Sequence, residues 1–277
     1  MSKDVVVVIG VGGIGEAIAR RQGFGKTVLI ADFNEATLAT VAKGLEGAGY
    51  SVTSLAVDVS SRASVKSLAS AAAKLGNVVQ VVQAAGLSPN MAPTDEILAV
   101  DLVGVALVLE EFGRVIAPGG SGVVISSMAG YMPAHLPREH DEALARTPAD
   151  ELLKLPFLQP DCVPNSGVAY GLSKRANHLR VQAASLTWGE RGARVNSISP
   201  GIIATRMAQH EMASPIGAGY RAMIEASPAK RMAAPDEVAS AAAYLLGTEA
   251  SFVTGGDLLI DGGVIAAIRA GRLQLSM

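Results

Sequence analysis

Almost at its start the chain runs Val5-Val6-Val7-Val8-Ile9-Gly10-Val11-Gly12-Gly13-Ile14-Gly15. A β-branched apolar run of this length is typical of a buried strand, and the glycines behind it permit a tight turn into a helix. Such a turn brings backbone N–H groups close to a pyrophosphate. The stretch therefore predicts a strand, a dinucleotide-binding turn and a helix. The simpler alternative is a Gly-rich turn that binds nothing.

Further apolar runs follow, separated by longer Ala-rich stretches of helical periodicity. Strands are expected near residues 4–9, 27–31, 52–57, 78–84, 122–127, 194–199 and 257–261. Because strands that alternate with helices form parallel sheets covered on both faces, we predict an α/β fold with a doubly wound, mostly seven-stranded parallel sheet. Ligands of such a sheet bind beyond the carboxyl ends of its strands.

The composition fits a single domain over residues 1–277. With 49% hydrophobic but only 4% aromatic residues, the core must consist mainly of Val, Leu, Ile and Ala, which suits strands buried on both faces. Twenty-three basic and 25 acidic side chains give a net charge of −2, with no basic run. Nucleic acid is therefore not an expected partner.

Cysteine and histidine usage narrows the class further. Cys162 is the only cysteine, so no intramolecular disulfide forms and nothing requires an oxidising compartment. The four histidines lack the spacing of a metal site, and we expect no bound metal. The segment Met1–Asp4 leads into the first strand without a signal peptide or membrane span, which predicts a cytoplasmic protein without membrane contact.

Two segments break the alternation of strands and helices. Residues 130–166 are rich in proline and have a charged, helical middle at residues 141–155. We expect them to form an inserted helical subdomain. Residues 202–228 are mixed in character, with Gly217 and Gly219 as candidate hinges, and are expected to act as a substrate lid.

Carboxylates end the second and third predicted strands. Asp32 lies about twenty residues beyond the glycine turn, where a carboxylate accepts hydrogen bonds from the adenosine ribose and repels a 2′-phosphate. No Arg or Lys follows it directly, which favours NAD(H) over NADP(H). Asp58 has two interpretations, as an acceptor for the adenine amino group or as the cap of the next helix.

Tyr170-Gly171-Leu172-Ser173-Lys174 begins a predicted helix, and the i, i+4 spacing places the phenol and the ammonium on one face. A neighbouring cation stabilises the phenolate and lowers the tyrosine pKa, which prepares the pair for proton transfer. Taken alone, a Tyr and a Lys four residues apart are more often surface neighbours. Ser126 and Ser127 follow the fifth predicted strand, where a hydroxyl can bond a substrate oxygen as charge develops on it.

Taken in chain order, these motifs resemble the short-chain dehydrogenase/reductase family over essentially the whole chain. Pro200-Gly201-Ile202-Ile203-Ala204-Thr205 is similar to the family's nicotinamide-binding loop. The resemblance implies that Tyr170 is the general acid and base, that Ser127 orients the substrate oxygen, and that Lys174 holds the nicotinamide ribose. It further implies that NAD is bound by Gly10, Gly12, Gly13, Ile14, Gly15, Asp32, Phe33, Asp58, Val59, Ala85, Gly86, Tyr170, Lys174, Pro200, Gly201, Ile203 and Thr205.

Three positions depart from the family pattern. The glycine turn is one residue shorter than usual and follows Ile9 instead of a threonine, so phosphate contacts are expected to shift. Gln83-Ala84-Ala85-Gly86 replaces Asn-Asn-Ala-Gly, which is expected to loosen a hydrogen bond between strands. Asp101 stands where the family commonly has a catalytic Asn that helps to place a water for proton relay. It is a candidate catalytic residue that adds a negative charge.

The long interval between Ser127 and Tyr170, together with the tail that begins Asp261-Gly262-Gly263, resembles the 3α-hydroxysteroid dehydrogenase/carbonyl reductase group of this family. The resemblance implies a secondary alcohol or ketone substrate, apolar and steroid-like or alicyclic, and a homo-oligomer, either a dimer or a tetramer. The candidate pocket walls are Met128, Pro133, Met207, Met212 and Ile216, with Arg206 and His210 as polar exceptions.

Two other functions remain open at this point. One is an NADP(H)-dependent carbonyl reductase. The other is a catalytically weak, dinucleotide-sensing binding protein, suggested by Asp101 and by the altered glycine turn. The presence of Ser127, Tyr170 and Lys174 together argues against a pure sensor, which has no need of all three.

Overall fold

The computed structural model describes residues 3–132 and 136–273. Its strands form one sheet in which every pairing is parallel, in the order β3-β2-β1-β4-β5-β6-β7. The strands are β1 Asp4–Ile9, β2 Thr27–Asp32, β3 Ser51–Ala56, β4 Asn77–Gln83, β5 Ile116–Ile125, β6 Arg194–Pro200 and β7 Asp257–Ile260. The doubly wound, seven-stranded parallel sheet predicted from the sequence is confirmed.

Helices cover both faces of the sheet. They are α1 Gly13–Gln22, α2 Glu35–Gly47, α3 Arg62–Leu75, α4 Thr94–Ile97, α5 Val105–Gly113, α6 Arg138–Arg146, α7 Ser166–Gly189, α8 Arg206–Ala213, α9 Gly217–Ala226, α10 Pro235–Leu246 and α11 Val264–Arg269. A π-helical turn, Leu98–Gly104, joins α4 to α5, and 3₁₀ turns lie at Met128–Tyr131, Ala149–Lys154, Pro156–Leu158 and Thr248–Ala250. Among the helices of residues 3–132 and 136–273, none has the length and apolar character that crossing a bilayer requires.

The residues of the first strand explain why helices cover both faces of the sheet. Val5, Val7 and Ile9 point into one core cluster, which they share with α3, α5 and α7. Val6 and Val8 point into the other, shared with α1, α2 and α10. Because successive side chains of a strand alternate between faces, a strand buried on both faces must be apolar throughout.

The strand order reverses beside β1, which pairs with β2 on one side and with β4 on the other. A crevice therefore opens outside the carboxyl ends of these strands. Ile9 is in register with Ala31 and with Gln83. The glycine turn, the end of β2 and residues 84–86 consequently meet at one edge of the sheet.

The inserted segment contains helices, but the bounds of those helices differ from the prediction. The sequence predicted one helical stretch over residues 141–155, whereas α6 ends at Arg146 and a 3₁₀ turn follows from Ala149. Pro148 causes the break, because the residue before a proline is disfavoured in the α conformation. Thr147 is accordingly extended.

The bounds of the fifth strand also need correction. The fifth strand runs over Ile116–Ile125 rather than residues 122–127, so Ser126 already lies beyond it.

The expected lid, residues 202–228, contains α8 and α9. Its candidate hinge Gly217 is tightly packed, since a Cβ there would lie 2.2 Å from the carbonyl oxygen of Met212, whereas Gly219 faces open space.

Candidate active site

The glycine turn has the close packing that a phosphate-binding turn requires. Gly10 has a positive φ of 84°, and a Cβ there would lie 2.3 Å from the backbone nitrogen of Ala85. A Cβ on Gly15 would lie 1.9 Å from the carbonyl oxygen of Gly10, whereas one on Gly12 would meet nothing within 4 Å. The turn thus packs against the protein on one side and leaves its other side, at the N-terminus of α1, open to a pyrophosphate.

Asp32 is held in place by the glycine turn. Its Oδ2 accepts a hydrogen bond from the Val11 N–H at 2.8 Å, and its Oδ1 accepts one from the Asn34 N–H at 2.9 Å. Both oxygens retain lone pairs for further donors such as ribose hydroxyls. The exposed Phe33 side chain follows directly.

Asp58 does not cap the next helix. The cap of α3 is Ser61, whose Oγ accepts from the Ser64 N–H, whereas Asp58 Oδ1 accepts from the N–H and Oγ of Ser60. The alternative interpretation of Asp58 as a helix cap is therefore wrong. Val59 is buried and packs against Gly104, so its side chain belongs to the core.

Helix α7 carries the predicted proton-transfer pair. Lys174 Nζ lies 5.1 Å from the centroid of the Tyr170 ring. Tyr170 is partly accessible, while Lys174 is only 4% exposed. The surface-neighbour alternative for this pair is therefore wrong, because a surface lysine would point into solvent.

The two serines after β5 have different roles. Ser126 is buried, and its Oγ donates to the Lys174 carbonyl oxygen at 3.0 Å, which ties α7 to the sheet. Ser127 caps the following 3₁₀ turn by accepting from the Ala129 N–H at 3.1 Å. Its hydroxyl also faces Tyr170 and lowers the pKa of that phenol. Ser127 is thus the serine available to a substrate oxygen.

Asp101 forms a buried ion pair with the lysine. Its Oδ2 lies 3.2 Å from Lys174 Nζ, and its Oδ1 accepts from the Leu87 N–H at 2.8 Å. Gly86 makes the approach possible, because a Cβ there would lie 3.2 Å from Asp101 Oδ1 and 3.3 Å from Lys174 Nζ. The sequence identified Asp101 as a candidate, but not its direct contact with the lysine.

The π-helical turn explains how Asp101 reaches this position. A π turn widens the helix by one residue, and such turns often occur at functional sites. In the amide orientation that satisfies both groups, Asn177 donates to the carbonyl oxygens of Asp101 and Ser173 at 3.1 Å each. Asn177 was not among the predicted residues, and its position seven residues beyond Tyr170 on the same helix face was the available signal.

Burial and the charged groups around Tyr170 have opposing effects on the pKa of its phenol. Burial raises its pKa, Lys174 lowers it, and Asp101 raises it again, with a net result above the ordinary value. Burial lowers the pKa of Lys174, but Asp101 and Tyr170 raise it more, so the ammonium stays charged. The expected lowering of the tyrosine pKa is therefore present as one contribution, but burial and Asp101 outweigh it in this structure.

The loop after β6 faces the glycine turn. A Cβ on Gly13 would lie 3.1 Å from Thr205 Cγ2, and Thr205 caps α8 by accepting from the Ala208 N–H at 3.3 Å. Ile203 is buried and forms a bridge with Ala233. The loop after β6 and the glycine turn, which the sequence assigned to the two ends of one dinucleotide, thus lie side by side.

Helix α8 turns an unpredicted residue inward. Its buried residues are Ala208 and Glu211, whereas the candidate wall residue Met207 and the polar candidates Arg206 and His210 are exposed. Ile216 is also exposed, and Pro133 lies outside the described residues. Met128 packs in an apolar cluster with Ile202. Sequence reasoning did not single out Glu211, because a carboxylate is not expected to be buried.

Comparisons with protein-family models and with individual proteins match almost the whole chain. A family model described as short chain dehydrogenase matches residues 3–137, and one described as Enoyl-(Acyl carrier protein) reductase matches residues 157–265. The chain is 47% identical over 267 residues to the short-chain dehydrogenase/reductase bsc3 of Alternaria brassicicola, which covers 96% of this chain and 97% of that protein. It is 28% identical to the 3-alpha-hydroxysteroid dehydrogenase/carbonyl reductase of Comamonas testosteroni, over 83% of this chain and 93% of that one.

A solved structure agrees with these matches. The 3-alpha-hydroxysteroid dehydrogenase from Pseudomonas sp. B-0831, complexed with NADH, superposes with a TM-score of 0.78 at 26% identity and covers 96% of this chain and 98% of that chain. Fold and site together define an oxidoreductase of the Rossmann type that uses a nicotinamide dinucleotide. The chain belongs to the short-chain dehydrogenase/reductase family, as its motifs predicted.

Proposed function

We propose that this protein transfers a hydride between NAD(H) and a secondary alcohol or ketone, with Tyr170 as the proton-transfer group. The observation that carries the proposal is the arrangement around one phenol. Lys174 lies 5.1 Å from the ring of Tyr170, the Ser127 hydroxyl faces the same phenol, and both are at the carboxyl edge where the dinucleotide crevice opens. When bound, the nicotinamide supplies the hydride acceptor or donor.

The protein residues handle the proton. In alcohol oxidation, the Tyr170 phenolate accepts the proton of the substrate hydroxyl, while the Ser127 hydroxyl donates a hydrogen bond to the same substrate oxygen. Lys174 remains protonated, because Asp101 and Tyr170 raise its pKa, and its charge stabilises the phenolate. In ketone reduction the proton moves in the opposite direction.

The cofactor preference follows from Asp32. Its carboxylate is fixed by the Val11 and Asn34 amides, where it accepts from ribose hydroxyls and repels a 2′-phosphate. The expected preference is for NAD(H), and the NADP(H)-dependent reductase is the competing possibility. Replacing Asp32 by Ser is expected to relax the preference by on the order of tenfold or more, measured as the ratio of kcat/KM with the two cofactors.

The proposed substrate is an apolar secondary alcohol on a steroid-like or alicyclic skeleton. Support comes from the apolar cluster of Met128, Ile202, Val264 and Ile265, of which Met128 directly follows Ser127 in the chain. The relative from Comamonas testosteroni bears the name of a hydroxysteroid dehydrogenase. The inserted segment, held to α7 by the Arg175–Asp141 ion pair at 2.6 Å, is proposed to cover part of this site.

Steady-state turnover tests this function. Wild-type protein is supplied with NAD⁺ or NADP⁺ at alkaline pH, and reduced cofactor is followed across steroid, alicyclic and aliphatic secondary alcohols. We expect turnover with NAD⁺, fastest with a cyclic alcohol. A faster reaction with NADP⁺ throughout the panel would contradict the cofactor assignment.

A dinucleotide-sensing binding protein is the second candidate function. Asp101 favours it, because the charge of Asp101 raises the pKa of Tyr170 and so opposes formation of the phenolate. Tight NADH binding without oxidation of any alcohol in the panel would support it.

The single domain over residues 1–277, the homo-oligomer and the cytoplasmic location stay predictions from the sequence.

A further inference from the structure

The 3₁₀ turn Met128–Tyr131 begins directly after Ser127. The Ser127 Oγ accepts from the Ala129 N–H at 3.1 Å, and the Ser127 carbonyl oxygen accepts from the Gly130 N–H at 3.0 Å. An accepting hydroxyl keeps its own hydrogen available to donate, which the proposed bond to a substrate oxygen requires. Because the Ser127 Oγ is bonded to the turn, the position of the turn determines where this hydroxyl lies.

Helix α7 packs directly against this turn. Gly130 permits the close approach, since a Cβ there would lie 2.7 Å from His178 Cε1 and 2.9 Å from the Lys174 carbonyl oxygen. The Ser126 Oγ donates to the same carbonyl oxygen at 3.0 Å. The turn is thus packed on the stretch of α7 between Lys174 and His178, which begins one helical turn beyond Tyr170.

Tyr131 ties the far end of the turn to the edge strand of the sheet. Its hydroxyl donates to Asp257 Oδ2 at 2.6 Å, and Asp257 is the first residue of β7. The other carboxylate oxygen accepts from Ser197 Oγ at 2.6 Å and from Ser199 Oγ at 3.0 Å, both on β6. The acceptor of the Tyr131 bond is therefore itself held by the sheet, and bonds of this length from a hydroxyl to a carboxylate are among the strong ones.

Two further side chains contact the Tyr131 ring. The His178 ring centroid lies 5.0 Å from that of Tyr131, at an interplanar angle of 51°. The Arg269 guanidinium, on α11, lies 5.8 Å from the Tyr131 ring centroid. The phenol is thus held at its hydroxyl by β7 and on its ring by α7 and α11.

We propose that Tyr131 is a positioning residue, whose bond to Asp257 holds the turn against α7 so that the Ser127 hydroxyl reaches the substrate oxygen. This inference rests on the proposed function, in which Ser127 and Tyr170 act on one substrate oxygen. Packing alone does not select a tyrosine here. A phenylalanine would fill the same space against the apolar cluster around Met128 without the cost of desolvating a hydroxyl.

Tyr131→Phe removes the hydrogen bond and keeps the ring. We expect kcat for alcohol oxidation to fall about tenfold to a hundredfold, because a displacement of about 1 Å in a catalytic group costs rate on this scale. NADH affinity, measured by fluorescence titration, should stay unchanged. The matched control is Tyr50→Phe, which removes a tyrosine bond of 2.7 Å to the Arg20 carbonyl oxygen, directly before β3, and should leave kcat unchanged.

A double-mutant cycle separates positioning from a general loss of stability. Ser127→Ala removes the group through which Tyr131 is proposed to act, so adding Tyr131→Phe to that variant should lower kcat by less than about twofold. Because the Ser127 hydroxyl lowers the pKa of Tyr170, the rising limb of the kcat/KM profile should move to higher pH in Tyr131→Phe alone. Additive losses in the cycle, or a wild-type kcat in Tyr131→Phe, would overturn the inference.

Hydrogen exchange tests the anchoring of the turn without turnover. A peptide that contains residues 127–132 is followed by mass spectrometry in the wild type and in both tyrosine variants. We expect faster exchange of this segment in Tyr131→Phe and wild-type exchange in Tyr50→Phe; equal exchange in all three proteins would overturn the inference. If the wild type oxidises no alcohol while this difference is present, the proposed function fails and the positioning of the turn by Tyr131 stands.

Discussion

At the scale of single residues, Asp101 is the feature that sets this site apart. A carboxylate within 3.2 Å of Lys174 neutralises part of the charge that stabilises the Tyr170 phenolate. Burial raises the pKa of Asp101, and Lys174 and the Leu87 N–H oppose that rise. The pair therefore holds the ammonium firmly in place, while making the phenolate harder to form.

Replacing Asp101 by Asn tests this balance. The amide keeps the shape and loses the charge, so the contribution that raises the Tyr170 pKa disappears. Because alcohol oxidation requires the phenolate, the rising limb of the kcat/KM profile against pH should move to lower pH. The profile of NAD⁺ reduction measures this directly.

A second variant measures how much the ion pair between Asp101 and Lys174 contributes to the free energy of unfolding. Asp101→Leu leaves the Lys174 ammonium buried without its partner, and the free energy of unfolding should fall by about 3 kcal/mol. Denaturant titration gives that value. An unchanged pH profile in Asp101→Asn, in a stably folded protein, would show that Asp101 does not control the proton-transfer pair.

At the scale of elements, α7 organises the site by its helical period. Tyr170, Lys174 and His178 are four residues apart, with Asn177 on the same face. The spacing of the first two was readable from the sequence. The π turn and the role of Asn177 were not, because a local widening of a helix depends on tertiary contacts rather than on propensity.

Below the site, His178 anchors α7 to β6 and β7. Its Nε2 lies 2.8 Å from Ser199 Oγ, which in turn donates to Asp257 at 3.0 Å. The Tyr131 hydroxyl donates to the other oxygen of Asp257 at 2.6 Å. Burial lowers the pKa of His178, Asp257 opposes this, and the nearby Arg175 and Lys174 lower the pKa further.

This network predicts a pH-dependent stability. A histidine kept neutral in the fold gains its proton more readily when unfolded, so stability present at neutral pH should be lost as the pH falls below about 6.5. The loss is limited to about 1.4 kcal/mol per pH unit for one group. Denaturant titrations at pH 7.5 and 5.5 should show a smaller loss in His178→Gln than in wild type. The exposed His210→Gln control should match wild type, and equal losses in all three proteins would rule out the buried histidine.

At the scale of the whole molecule, one edge of the sheet brings distant residues together. The glycine turn, Asp32, Ser127 and Tyr170 come from separate strand ends and from α7, and they converge because parallel strands place their carboxyl ends at the same edge. Strand periodicity and chain order were therefore enough to predict the fold, whereas the roles of the site residues come from the resemblance to the family and stay predictions.

The remaining members could not be predicted for a physical reason. The inward direction of Glu211 was not predicted, because it depends on how α8 packs against other elements of the fold. Met207 and Met212 were named as candidate pocket walls because they are apolar, yet the Met207 side chain is exposed. A polar residue that packs inward departs from the apolar pattern on which sequence reasoning relies, so such reasoning fails at these positions before it fails in the core.

The most direct test of the central claim is NADH formation from NAD⁺ and a cyclic secondary alcohol, measured for wild type and for Tyr170→Phe. The variant keeps the ring beside Lys174 and removes only the hydroxyl that is proposed to transfer the proton. We predict a fall in kcat of about 10²- to 10⁴-fold, with NADH affinity retained. Equal rates in the two proteins would remove Tyr170 from the chemistry and contradict the account.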